Sequence, residues 1–283
     1  MPIAGLFCLS LALGPDFAFS QSVPPHAEGL AEELITVQLD DANRQQAGVY
    51  SVKTGSQNHS KLAVLLPGYP SVVRPVVEGG AMVRSKLTGN FLIRSRRHLL
   101  DESIATFIVD CQSESGDYCS AAYQGSNDRQ RHVQKLIDMV KGRYPSLKEV
   151  WLVGTSMGTI SSAFMPTYDA KAYAGAIHTA TITEPWAQGS YRELANFDYR
   201  RSGIPQFFVH HRDDPCSLTT HSGAKKISEH YGFPLITVIG GSGFQGGACQ
   251  AQTEHGFKGM EQQTMKAIAT IIKSGKPESL EIR

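Results

Sequence analysis

Residues 149–164 read EVWLVGTSMGTISSAF, and this stretch decides the fold. Its first part, 149–154, is a short apolar run with β-branched and aromatic residues, the composition of a buried strand. The part after the turn predicts a helix over 157–164, stopped by Pro166, whose ring and missing N–H disrupt a helix interior. Between them lies Gly154-Thr155-Ser156-Met157-Gly158, a Gly-x-Ser-x-Gly pentapeptide in a strand–turn–helix setting. A serine on such a tight turn is lifted clear of the sheet, and small residues two before and two after let strand and helix backbones approach. Ser156 is the candidate nucleophile.

Outward from this turn the chain alternates strand and helix signals. Strands are predicted at 33–39 and 48–53, as an opening hairpin, and at 61–66, 105–110, 173–181, 206–211 and 235–239. Helical spacing marks 88–102, 217–231 and 259–273. Asn127 is placed to cap a helix running to Tyr144, with Val133, Leu136, Ile137 and Val140 on one face. Strands separated by helices predict an α/β protein with a mostly parallel central sheet and helices on both faces. With no internal repeat or low-complexity linker in the sequence, one domain over 30–283 is expected. Ligands in such sheets bind at the carboxyl ends of the strands, so the residues just past each strand are the ones to inspect.

A serine hydroxyl needs an adjacent base, and in this architecture the partners follow in the order Ser, Asp/Glu, His. After strand 206–211 comes Arg212-Asp213-Asp214-Pro215. Asp214 is the candidate acid, because Pro215 fixes the turn that presents it; Asp213 is the reserve. After the final strand, Glu254-His255-Gly256-Phe257 precedes the last helix and makes His255 the candidate general base, oriented by Asp214. His210 and His211 read as packing or hydrogen-bonding residues, since neighbours on a strand point to opposite faces and do not easily share a metal. Charge developing on an attacked carbonyl needs donors. The candidates are the Met157 N–H and the Tyr69 N–H, the latter in the Pro67-Gly68-Tyr69-Pro70 loop after strand 61–66.

The 283 residues include 27 Lys and Arg against 26 Asp and Glu, a net charge of +1, with 19% charged and 41% hydrophobic. That balance excludes a disordered chain and leaves no basic footprint for nucleic acid. Residues 3–13 are almost wholly apolar and precede Gly14-Pro15. Ala18 and Ser20 then sit at −3 and −1 of a cleavage site before Gln21, the layout of a secretory signal peptide over 1–20. The run is too short to span a bilayer, so no stable membrane anchor is expected. Cleavage removes Cys8 and leaves Cys111, Cys119, Cys216 and Cys249, an even count suited to two bridges in a secreted or periplasmic protein. Three pairings are open on count alone. Zinc-type Cys spacing is absent, and 240–247 (GGSGFQGG) lacks the phosphate-loop pattern, so it reads as a flexible active-site loop. No metal or cofactor is expected.

Four segments, LLPGYP at 65–70, VGTSMG at 153–158, VHHRDDPC at 209–216 and EHGF at 254–257, resemble in order the oxyanion loop, nucleophile elbow, acid loop and histidine loop of the α/β-hydrolase family. The resemblance covers the chain from about residue 61 to its end. It implies that fold with at most a short cap, a Ser156–Asp214–His255 triad, and acyl transfer without a cofactor on a small-molecule or polymeric ester. Within the family the chain is similar to secreted bacterial esterases. It also shows a partial likeness to cutinase-like polyester hydrolases, which share the Pro-Gly-Tyr loop, the Gly-x-Ser-Met-Gly elbow and a tryptophan matched by Trp186. Those enzymes can bridge the acid and histidine loops, which pairs Cys216 with Cys249 and leaves Cys111 with Cys119. The Arg-rich stretch 74–97 and the 111–119 loop depart from that pattern.

Tyr69, Trp186 and Phe244 are candidate walls of a substrate site. Arg94, Arg96 and Arg97 share one predicted helix and read as a solvated face rather than an anion site. A serine peptidase or amidase on the same scaffold, and a binding protein without catalysis, are the alternatives to an esterase. Oligomeric state is not encoded in any feature of the sequence.

Overall fold

A computed structural model of the chain describes residues 23–39, 43–185, 194 and 196–283. Residues 1–20, where a signal peptide is expected, and Trp186 lie outside the described residues, as does most of 186–195, where a cap would be inserted.

The strands in chain order are β1 (Leu30–Gln38), β2 (Gln45–Lys53), β3 (Lys61–Leu66), β4 (Val76–Glu78), β5 (Ala81–Arg84), β6 (Ile104–Gln112), β7 (Glu149–Thr155), β8 (Gly175–Thr179), β9 (Gln206–His211), β10 (Leu235–Val238) and β11 (Glu281–Ile282). The α-helices bounded within the described residues are α1 (Phe91–Ser95), α2 (Ala121–Gln124), α3 (Asn127–Arg143), α4 (Thr159–Tyr168), α5 (His221–Tyr231) and α6 (Glu261–Ser274). Nine strands form one sheet in the order β1-β2-β6-β3-β7-β8-β9-β10-β11. β2 runs antiparallel to both its neighbours, and every pairing from β6 to β11 is parallel.

Burial follows position in the sheet. β3, β7 and β9 are buried along nearly their whole length, as strands covered on both faces must be. Edge strand β1 instead alternates buried and exposed residues. Along β3, Ala63 and Leu65 pack with α1 and α6, whereas Leu62, Val64 and Leu66 pack with α3. Met165 of α4 joins the α3 side, and α5 packs beside α4 through Ile227. The expected parallel sheet with helices on both faces is what the chain forms.

Several boundaries differ from the sequence reading, each for a local reason. The predicted 88–102 helix is only α1, capped by Asn90 Oδ1 on the Leu92 amide, followed by a 3-10 turn. Ser126, not Asn127, caps α3. α4 continues through Pro166 and ends two residues later at Tyr168. α5 begins at His221 rather than 217, because Asp214 and Thr219 close a turn ahead of it. The β4–β5 hairpin and β11 were not foreseen.

The Arg94, Arg96 and Arg97 expectation is corrected. Arg96 is fully buried: its guanidinium clasps Glu32 of β1 at 2.7–2.9 Å through Nε and Nη2 and donates through Nη1 to Ile93 O. Glu32 also accepts from Ser51 Oγ (2.6 Å) and from the Met82 amide (2.7 Å). Arg94 is largely buried too, and Arg97 ties down Pro25 O and Glu28. With α1 only five residues long, the three arginines do not share a solvated face.

Candidate active site

The turn after β7 is set by sterics. Ser156 has φ 49°, a left-handed conformation that costs a non-glycine residue about 1–3 kcal/mol and persists only where its surroundings enforce it. Thr159 Oγ1 donates to Ser156 O at 2.6 Å. A Cβ at Gly158 would run into the carbonyls of Leu66 and Pro67, and one at Gly154 into Ser162 Oγ. The two glycines of the pentapeptide are therefore demanded by packing, and the turn is pressed against the end of β3. There a Cβ on Gly68 would lie 3.0 Å from Ser156 Cβ.

The loop after β3 is braced from behind by features that the sequence reading set aside as departures. Ser71 Oγ donates to Pro67 O at 2.8 Å, and the Cys119 amide to Pro70 O at 3.0 Å. Asp110 accepts the Val73 and Arg74 amides at 2.7 and 3.0 Å. The Arg74 guanidinium gathers the carbonyls of Gln112 and Ser113. Cys111 and Cys119 are disulfide-bonded, which closes this scaffold. The amides of Tyr69 and Met157 donate to no described residue, and both residues line one cavity with Ser156.

The acid and histidine loops meet. His255 Nδ1 lies 3.1 Å from Asp214 Oδ2, with the carboxylate side chain fully buried. Asp214 Oδ1 accepts the Cys216 amide at 2.9 Å. Asp213, the reserve candidate, is exposed and pairs with Arg212 instead. Cys216 is disulfide-bonded to Cys249, so a covalent link joins the two loops. Thr219, which no sequence signal singled out, is buried with its hydroxyl 2.8 Å from Asp214 Oδ2 and 3.0 Å from His255 Nδ1. Arg94 donates to Gly256 O and Gly89 O, each at 2.7 Å, and pairs with Glu261.

His210 and His211 serve the scaffold. His211 Nε2 donates to Gly240 O (2.8 Å) while Nδ1 accepts the Asp213 amide (3.1 Å). His210 Nε2 accepts the Thr181 amide at 2.7 Å, and burial lowers its pKa to about 3, so it stays neutral.

Ser156 and His255 are not hydrogen-bonded to each other, but both line a cavity of about 350 Å³. A second cavity of about 760 Å³ also opens on Ser156. Tyr69 borders both; Phe244 borders neither and sits over Gly241.

No family model matches the chain, and no curated protein matches it. Solved structures share its fold. A cold-adapted esterase from an Arctic intertidal metagenomic library superposes with a TM-score of 0.55 at 13% identity, over 88% of this chain and 99% of that one. Est1E from Butyrivibrio proteoclasticus gives 0.56 at 10% identity, over 84% and 97%. A serine hydrolase without a lid from Xanthomonas campestris gives 0.52 at 13% identity, over 86% and 93%. The fold of this chain is the α/β-hydrolase fold.

Proposed function

We propose that the chain is a serine hydrolase of carboxylic esters, with Ser156 as nucleophile, His255 as general base and acid, and Asp214 as the orienting carboxylate. One arrangement carries this reading: an imidazole fixed through Nδ1 to a buried carboxylate opens on the cavity lined by a serine held at positive φ. Esterases on the same fold support it, as does Est1E's binding of ferulic acid, a carboxylic acid.

In the proposed reaction Ser156 Oγ bonds to the ester carbonyl carbon while its proton passes to His255 Nε2. The tetrahedral oxygen accepts from the Met157 and Tyr69 amides, an interaction worth about 2.7–4 kcal/mol per donor. The carbon–alkoxide bond breaks, and the alcohol leaves with the proton held by His255. Water then repeats the sequence on the acyl-enzyme and releases the acid. Asp214 accepts from His255 Nδ1–H throughout and takes no part in the proton transfer. Export behind a signal peptide over 1–20 belongs to the same proposal. It is supported by the two cystines. Among the described residues no helix is long and apolar enough to cross a membrane.

A fluorophosphonate probe is expected to add once, at Ser156, and to inhibit p-nitrophenyl acetate hydrolysis. Ser156→Ala is expected to lose both labelling and turnover. A folded wild-type protein that neither labels nor hydrolyses the ester would remove the reading.

The Thr219 contact makes a separate prediction. Thr219→Val keeps the side-chain shape but deprives a buried carboxylate of a donor, and hydrogen bonds to charged groups contribute about 1.5–3 kcal/mol. The variant is expected to lower kcat about tenfold or more with KM little changed, and Thr219→Ser to restore most of it. Equal kcat in Val and wild type would show that Asp214 orients the imidazole unaided.

A further inference from the structure

The two cavities that meet at Ser156 differ in chemistry. The larger, about 760 Å³, is walled mostly by Met157, Ile182, Pro185, Leu218 and the Cys216–Cys249 cystine, with Glu184 and Ser217 at its border. The smaller, about 350 Å³, is also bordered by Leu87, Phe91 and Ala251, but presents Lys86, Asn90, Gln250 and Gln252 beside His255, the denser set of polar side chains. Both volumes lie in the range of small-molecule sites.

The position of His255 tells the two halves of an ester apart. The imidazole that protonates the departing alkoxide must stand next to the alcohol oxygen, and the acyl substituent then extends away from it. His255 lines the polar cavity and not the apolar one. Resting on the ester-hydrolase reading, we infer that the alcohol half of the substrate is polyhydroxylated and seats in the polar cavity, while an apolar acyl half seats in the larger one.

Asn90 supplies an independent observation. It is 9% exposed, and its Oδ1 is committed to capping α1 through the Leu92 amide. Its Nδ2 bonds no described residue and points toward Gly68, 3.7 Å from where a Cβ there would lie, next to Ser156. The amide therefore faces the smaller cavity, where an alcohol hydroxyl can replace its water partner and an alkyl chain cannot. Gln252 reaches Gly89 O only at 3.4 Å through Nε2 and keeps its Oε1 for a hydroxyl donor. A site that hydrogen-bonds a substrate hydroxyl discriminates strongly against the analogue lacking it.

The test compares three butanoate esters on the full chain: 1-glyceryl, methyl glucoside 6-O-butanoate and n-propyl. At least one hydroxylated ester is expected to exceed the propyl ester at least tenfold in kcat/KM, and which one does so separates a glycerol-type from a sugar-type alcohol. Asn90→Ser retains a good N-cap but withdraws the amide, and Gln252→Leu removes the second polar arm from a partly exposed position. Both are expected to bring the ratio toward one. Equal turnover of all three esters by a labelled wild-type protein, or a ratio that survives in both variants, overturns the assignment of the polar cavity and leaves the ester reading standing. No turnover with no Ser156 labelling removes both.

Discussion

Asp214→Asn is expected to lower kcat/KM for p-nitrophenyl acetate about 10⁴-fold, the loss that follows when the orienting carboxylate of a serine triad becomes an amide. The substitution preserves size, and the Cys216 amide can still be accepted by the new side chain. What changes is the face shown to His255: an amide nitrogen cannot accept from Nδ1–H, so the ring is held in the wrong tautomer or is not held. Asp213→Asn, at an exposed carboxylate paired with Arg212, is expected to change the rate less than twofold. Circular dichroism on both variants separates a chemical loss from unfolding. A deeper loss in Asp213→Asn than in Asp214→Asn would transfer the role to the other residue.

The second large effect is on stability. Removing one partner of a buried, hydrogen-bonded ion pair leaves the other charge desolvated and unpaired, at about 3–5 kcal/mol. Arg96→Met strands Glu32, whose two oxygens otherwise serve the guanidinium, Ser51 and the Met82 amide. Against a total stability of about 5–15 kcal/mol, the urea midpoint of Arg96→Met is expected to fall steeply. Pairing it with Glu32→Gln, which removes the stranded charge, is expected to recover part of the loss. An unchanged midpoint in Arg96→Met would mean that the pair contributes no net stability.

Much of this molecule was legible because its signals are local. An apolar strand leading into a serine between two glycines fixes β7, the turn and the start of α4 within residues 149–164. Asp-Pro after β9 and His-Gly before α6 lie where a parallel sheet gathers its loops. Contacts between distant segments were not legible. Arg96 looks like any helix-surface cation until Glu32, 64 residues earlier, is brought beneath it by the β1–β2 hairpin. Thr219 has no pattern around it that would mark it, since its significance lies in two partners supplied by separate loops. Arg74 and the Cys111–Cys119 loop depart from the cutinase-like pattern, and both prop up the loop carrying Tyr69. The β4–β5 hairpin did carry a signal: Gly79 and Gly80 both adopt positive φ, the requirement of a tight two-residue turn.

The segment bearing His255 is pinned at two points. Cys249 is tied covalently to the acid loop, and Gly256 is held by a buried guanidinium from α1. Gln250 and Gln252 lie between these anchors, at the border of the smaller cavity. Replacements there change what the cavity presents while leaving both anchors of the imidazole in place, so the lining can be retuned independently of the contacts that hold His255.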